Sequence, residues 1–195
     1  MLTDKVLVGN TVVDGNLGGG GILLRQIEIS DCTDSYVNWL NDPEVNQYLE
    51  TRWSVQDLQV ITSFVKSQRE NDHSILFAIV FANKHVGNIK IGPINRHHNH
   101  ADISYFIGNK KLWNHGIATE SIRLVCEFGF KELDLHRIEA GAYSKAIGSW
   151  KALEKNGFLR EGTFRKQVLS ENEYIDVYRY GFLQTEWRKN DEILH

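Results

Sequence analysis

Ser74 to Phe81 is nearly continuously apolar, and the turn at Asn83-Lys84 separates it from a second strand-like run, Val86 to Ile91. A strand that lacks polar alternation expects cover on both of its faces, while so short a connection makes its neighbour antiparallel. A sheet with helices on both sides therefore follows, and simple parallel winding does not account for it. The end of the chain repeats the constraint. Two long strands, Phe158 to Leu169 and Tyr174 to Leu183, pair around Ser170 to Glu173.

The remaining elements fill in around these hairpins. Ile22 to Ile29 reads as a first core strand, and Asp31 as the N-cap of a helix whose Tyr36, Val37, Trp39 and Leu40 share one face. Asp42-Pro43-Glu44 restarts a short helix with proline at its first position. Ser54 and Asp57 resemble a capping box before a helix that buries Leu58, Ile61, Phe64 and Val65. Pro93 to His100 reads as a polar loop and Ala101 to Gly108 as a strand. Thr119 to Phe130 reads as a helix burying Ile122, Val125 and Cys126, and His136 to Tyr143 as a strand. Ile147, Trp150 and Leu153 mark a last helix, closed by Asn156-Gly157. The order β-α-α-β-β-β-α-β-α-β-β predicts an α+β, α/β/α layered fold with a mixed, mostly antiparallel sheet.

At 195 residues the chain fits one domain, read here as 22–190. Residues 1–21 read as an appendage or extra hairpin, with Val6 to Val8 and Thr11 to Val13 as short strands and Gly18 to Gly21 as a hinge. Twenty-two basic and twenty-five acidic residues give a net charge of −3 without blocks of one sign, which argues against nucleic-acid binding or a polybasic membrane anchor. No run approaches membrane-spanning length, and no basic segment precedes an apolar one at the start. Cys32 and Cys126 have neither metal nor redox spacing and read as reduced thiols, so a soluble, cytoplasmic protein is expected.

The most chemically suggestive stretch is Leu112-Trp113-Asn114-His115-Gly116-Ile117-Ala118-Thr119-Glu120. It joins a predicted strand to a predicted helix. Several unpaired backbone N–H groups then point toward an anion, and the helix dipole favours negative charge there by about 0.3–2 kcal/mol. Gly116 lets a phosphate approach the backbone closely, and Ala118 keeps the first turn free of bulk. An ordinary strand-to-helix connection containing a glycine is the other reading of the same residues.

Four stretches in order resemble the GCN5-related N-acetyltransferases (GNAT), and within them the RimJ/RimL-like subgroup. They are Trp39-Leu40-Asn41-Asp42-Pro43-Glu44-Val45; Asp102-Ile103-Ser104-Tyr105-Phe106-Ile107 running into Trp113 to Glu120; His136-Arg137-Ile138-Glu139-Ala140; and Ser149 through Glu154-Lys155-Asn156-Gly157-Phe158 to Glu161-Gly162. The resemblance covers about residues 22–187. The sequence departs from the family pattern in places. Trp113 stands where Gln or Arg opens the loop, Ala118 replaces a glycine, and Ala146 replaces an asparagine. Leu153 stands where many members have their tyrosine acid.

What the resemblance implies is an N-acetyltransferase using acetyl-CoA as co-substrate. The pyrophosphate would lie on Trp113, Asn114, His115, Gly116, Ile117, Ala118 and Thr119. Pantetheine would lie where the strand carrying Tyr105, Phe106 and Ile107 splays from the strand of Glu139. A backbone N–H near Tyr105–Phe106 is the candidate for polarising the thioester carbonyl. Direct attack by an amine then needs a base, for which Glu139, Asp102 and Glu50 are candidates, and a donor to the departing thiolate, for which Ser149 is nominated. Glu139 also reads as a cross-strand ion-pair or solvated residue, Asp102 as a turn residue, Glu50 as a residue that recognises the amine, and Ser149 as a helix cap. Tyr143 and Tyr105 are fallback donors. Glu50 and Arg52, in the linker Tyr48 to Trp53, together with Tyr143 are candidates for acceptor binding.

Arg96-His97-His98-Asn99-His100 reads as a solvated loop rather than a metal site, and no metal is expected. The alternating Tyr174, Tyr178 and Tyr180 read as core or cleft wall. Lys145, Lys151 and Lys155 are weaker candidates for the CoA 3′-phosphate. The acceptor classes left open are a protein N-terminus, a small-molecule amine and a nucleotide-linked amino sugar. A non-catalytic acyl-CoA-binding domain and a nucleotide-binding module are the rival functions. A homodimer is compatible with the resemblance.

Overall fold

The computed structural model describes residues 12–15 and 21–187. Eight strands form one sheet: β1 (Val12–Gly15), β2 (Ile22–Gln26), β3 (Ile75–Phe81), β4 (Lys84–Asn95), β5 (His100–Ile107), β6 (Arg137–Tyr143), β7 (Leu159–Ser170) and β8 (Glu173–Leu183). Their spatial order is β1-β2-β3-β4-β5-β6-β8-β7. Every pairing is antiparallel except β5 with β6, which is parallel and short, running from His100↔Arg137 to Ile103↔Ala140. The mixed sheet expected from the hairpin spacings is present. From the expected N-terminal hairpin, Val12–Gly15 pairs along β2, whereas Val6 to Val8 and Gly18 to Gly20 lie outside the described residues.

Helices cover both faces. On one, α4 (Ile117–Lys131) and α5 (Ile147–Lys155) pack Ile122, Val125, Phe128 and Leu153 against Phe77, Ile79, Ile89, Ile91, Ile138 and Tyr180. On the other, α1 (Asp34–Asn41) and α3 (Leu58–Arg69) pack Tyr36, Leu40, Ile61 and Val65 against Leu76, Ala78 and Val80. β3 feeds alternate side chains into both clusters, which is why its sequence is apolar throughout. Each fully buried aliphatic or aromatic side chain of this kind contributes about 1.5–3 kcal/mol.

Some local expectations are corrected. The first strand stops at Gln26, and Asp31 does not cap α1; Thr33 does, its hydroxyl accepting from the Tyr36 amide. Asp31 is instead buried against Arg25, with oxygens 2.7 and 2.6 Å from the guanidinium. Asp57 caps α3, not Ser54, because its carboxylate accepts from the Val60 amide at 2.8 Å. That helix buries Ile61 and Val65 but leaves Leu58 and Phe64 exposed. β4 runs on through Pro93 to Asn95 past an irregularity between Ile91 and Ile94, so the polar loop is shorter than expected. Asp42 caps α2 (Pro43–Asn46) as the sequence suggests, accepting from the Glu44 amide. No helix among the described residues is long and apolar enough to cross a membrane.

Candidate active site

The parallel ladder between β5 and β6 ends at Ile103↔Ala140. Beyond it β5 continues to Ile107 paired only with β4, and β6 continues to Tyr143 paired only with β8. Alternate backbone groups of Ser104 to Ile107 and of Gly141 to Tyr143 thus border a gap between two neighbouring strands, where an extended ligand can use them as a third strand would. The sequence-predicted splay lies at this position.

At the far end of β5 the chain turns through Trp113 to Gly116 into α4. Trp113 fixes the turn by donating its indole N–H to the Ile107 carbonyl at 2.8 Å, and His115 Nδ1 lies 2.8 Å from the Trp113 carbonyl. Gly116 is the N-cap, at φ 79°, a left-handed conformation that disfavours other residues. It brings no capping side chain, so the first amides of a fifteen-residue helix have no side-chain acceptor at the cap. Asn114, His115 and Gly116 are exposed. The residues present fit an anionic phosphate group: an uncapped helix N-terminus, exposed at Gly116, whose one first-turn carboxylate, Glu120, is held by Arg123. Asn156, at the end of α5, donates to the Thr119 carbonyl at 3.0 Å and to the Ala152 carbonyl at 2.8 Å.

Inside the gap, successive β5 side chains point to opposite faces. Tyr105 packs toward α4 and α5, where its hydroxyl lies 3.0 Å from both the carbonyl oxygen and Oγ of Ser149. Ser149 sits in the first turn of α5, whose N-cap is Ala146, so its hydroxyl meets Tyr105 rather than serving as a cap. Burial pushes the Tyr105 phenol well above its ordinary range, and the Ser149 bond only partly offsets this.

Asp102 and Glu139 face the opposite side, as register partners across the parallel pair. Arg179 of β8 reaches both, with Nη2 at 3.1 Å from Asp102 Oδ1 and 3.4 Å from Glu139 Oε2. Arg137 adds a 2.7 Å bond to Glu139 and pairs with Glu161 of β7. Two of the three candidate bases, Asp102 and Glu139, thus belong to one ion-pair chain.

The linker between α2 and α3 contains a helical turn, Glu50–Trp53, that reaches the end of β6. Tyr143 donates its hydroxyl to Glu50 and stacks edge-on with Tyr48. Burial, then the Glu50 carboxylate, raises the Tyr143 phenol. Arg52 lies 3.7 Å from Glu50, donates to the carbonyls of Leu49 and Leu169, and stacks on Trp53 at 4.4 Å. Glu50, Arg52 and Tyr143, far apart in sequence, are together. Their accessibilities differ: the side chain of Arg52 is 12 % exposed and that of Glu50 74 %.

A strand gap running toward an uncapped helix N-terminus is a geometry to compare with known proteins. The sequence model of the "Acetyltransferase (GNAT) domain" matches residues 22–159. The chain belongs to the GNAT family. The Bacillus subtilis protein named "Uncharacterized N-acetyltransferase YnaD" is 29 % identical over 170 residues, 85 % of this chain and 95 % of that one. The crystal structure of a GNAT-family acetyltransferase from Bacillus anthracis matches with a TM-score of 0.76 at 27 % identity, covering 90 % of this chain and 100 % of that one. Mycobacterium smegmatis RimJ, solved with CoA-disulfide, shares the fold at TM-score 0.80 and 21 % identity, covering 90 % of this chain and 88 % of that one. The protein is accordingly an acyltransferase.

Other residues singled out in the sequence fall away from this GNAT site or beside it. Tyr180 is buried and donates to Glu154, Tyr178 packs on Trp150, and Tyr174 is exposed at the hairpin end rather than lining a cleft. Lys145 pairs with Glu173, and Lys151 stacks on Trp150 at 5.7 Å. His98 and His100 stack 6.3 Å apart, and among the described residues no three His, Cys, Asp or Glu side chains form a metal-holding group. Sequence reasoning missed Arg179, which had no local motif; its partner Asp102 lies 77 positions away. It also missed Asn156 as a tie to α4. In the sequence Asn156 marks only a helix stop.

Proposed function

We propose that this GNAT protein transfers the acetyl group of acetyl-CoA to a primary amine by direct attack in a ternary complex. The observation that carries the reading is the two-sided gap between β5 and β6. A hydroxyl pair, Tyr105 with Ser149, stands at the gap on one face of the sheet, and a carboxylate pair, Asp102 with Glu139, on the other face just before the strands part. Acetyl-CoA supplies a thioester and a thiol leaving group.

In this reading the N–H groups of Gly116 to Thr119 hold the pyrophosphate, with Trp113, Asn114 and His115 shaping the loop. Tyr105, Phe106 and Ile107 offer backbone groups to pantetheine, and an amide near Tyr105–Phe106 polarises the carbonyl. Ser149 bonds the sulfur as it departs, which suits a thiol of ordinary pKa near 8.5 without full proton transfer. Asp102 or Glu139 takes the ammonium proton, directly or through water.

Glu50 and Tyr143 meet the acceptor, while Arg52 braces them. Because the exposed charge there is Glu50, beside the exposed indole of Trp53, the arrangement favours an amine whose flanking groups are neutral or cationic. A peptide N-terminus or a small-molecule amine fits this better than an amino sugar on an anionic nucleotide carrier.

The test is release of free thiol from acetyl-CoA in the presence of a panel of peptide, polyamine, amino-acid and amino-sugar acceptors. Acceptor-dependent release with peptides or cationic amines is expected. Tight CoA binding without acceptor-dependent release would overturn the reading.

A further inference from the structure

Two arginines cross the sheet face opposite α4 and α5 by passing over glycines. Arg179 on β8 is the register partner of Gly141 on β6, where a Cβ would stand 3.1 Å from Arg179 Nη1. Arg137 on β6 passes over Gly181 on β8, where a Cβ would stand 2.5 Å from Nη2. The bare backbone at these positions lets each guanidinium lie flat and reach beyond its neighbouring strand. Arg137 reaches outward to Glu161 on β7, while Arg179 reaches inward, past β6, to Asp102 on β5.

Asp102 and Glu139 are the last register partners but one before the strands part. Neighbouring strands stand about 4.8 Å apart, and like charges facing each other across them are destabilising. Arg137 serves Glu139 but makes no bond to Asp102, whereas Arg179 bonds both. Without Arg179, two carboxylates would repel each other one step before the ladder ends.

We infer that Arg179 is a positioning residue that clamps β5 to β6 at the vertex of the gap. Its consequence for turnover rests on the proposed function, because the vertex is where the reacting end of the donor would lie. The clamp itself does not. Loss of the clamp loosens the vertex but not the α4 N-terminus, so it affects kcat more than donor binding.

Hydrogen exchange on the full chain, free of ligand, tests the clamp without turnover. Arg179→Gln is expected to speed exchange of amides in 102–105 and 139–142 by about tenfold, through local opening, and to leave those of 76–80 unchanged. Arg179→Lys restores part of the protection, and adding Asp102→Asn to Arg179→Gln restores part by removing the repulsion. In turnover, Arg179→Gln lowers kcat about tenfold, with the KM for acetyl-CoA within about twofold. Exchange unchanged at the vertex, or raised equally in 76–80 and not relieved by Asp102→Asn, overturns the inference. Should the wild-type chain acetylate no amine while the exchange pattern appears, the proposed function falls and the clamp stands.

Discussion

The hydroxyls of Tyr105 and Ser149 lie 3.0 Å apart and join β5 to the first turn of α5. Tyr105 has one proton and two acceptors in reach, the carbonyl and the hydroxyl of Ser149. When that proton goes to the carbonyl, Ser149 keeps its own to give, first to the phenol oxygen and then to an incoming sulfur. Ser149→Ala is therefore expected to lower kcat by about ten- to a hundredfold, below the range of a full general acid. The KM for acetyl-CoA should stay within about threefold. Tyr105→Phe should cost less, since it removes only the orienting partner. A larger loss from Tyr105→Phe in the thiol-release assay would make the phenol the donor.

Gly116→Ala tests the helix N-terminus. At φ 79° a Cβ is strained by about 1–2 kcal/mol. A shift in Tm of roughly 2–4 °C per kcal/mol is expected for a chain of this size. Relief of that strain by moving the loop should also weaken CoA binding. Calorimetry with CoA checks this; unchanged affinity would remove the loop from the donor site.

Glu50→Gln should raise the KM for cationic acceptors about tenfold and leave that for acetyl-CoA unchanged, because the exposed carboxylate, held by Tyr143 and Arg52, is assigned to the acceptor and not to the donor. Arg52→Ala should behave differently. It strips partners from the carbonyls of Leu49 and Leu169 and from Tyr143, so thermal stability should fall along with turnover for every acceptor. Parallel melts and acceptor panels on the two variants separate recognition from bracing.

Acid should unfold the protein partly through Asp31. Burial alone would raise this carboxyl, but its bonds from Arg25 and from the Glu28 amide outweigh that and hold it below its ordinary value. A carboxyl depressed in the folded state stabilises fully above its unfolded value, near pH 4, and ceases to as the pH falls through the lower folded one. Asp31→Asn should cost about 2 kcal/mol at neutral pH, and the difference from wild type should shrink below pH ~4. Denaturant melts at several pH values measure it; a gap that persists in acid would mean that shape, not charge, carries the contribution.

The layered sheet was legible because hydrophobic period and turn spacing are local signals. Ser74 to Phe81 announces cover on both faces, and Asn156-Gly157 announces a helix end. The turn at Gly116 was legible for the same reason: a glycine ahead of an apolar-periodic run marks where a helix begins. Caps were misread where two candidates sat within three residues. Asp31 was claimed by Arg25 across the turn, and Ser54 lost to Asp57, next to the first helical residue. The charged face was not legible, since Asp102, Glu139, Arg179 and Glu161 meet only through strand order, and that order places β8 between β6 and β7 against the sequence. Nothing in the local sequence marks Gly141 and Gly181 as the positions over which Arg179 and Arg137 lie.

Asn156 has a consequence beyond ending a helix. Its amide joins the last turn of the helix that carries Ser149 to the first turn of the helix that begins at Gly116. One side chain thus sets the spacing between the end of α5 and the start of α4, and Asn156→Ala is expected to remove both bonds and let the two helices shift independently.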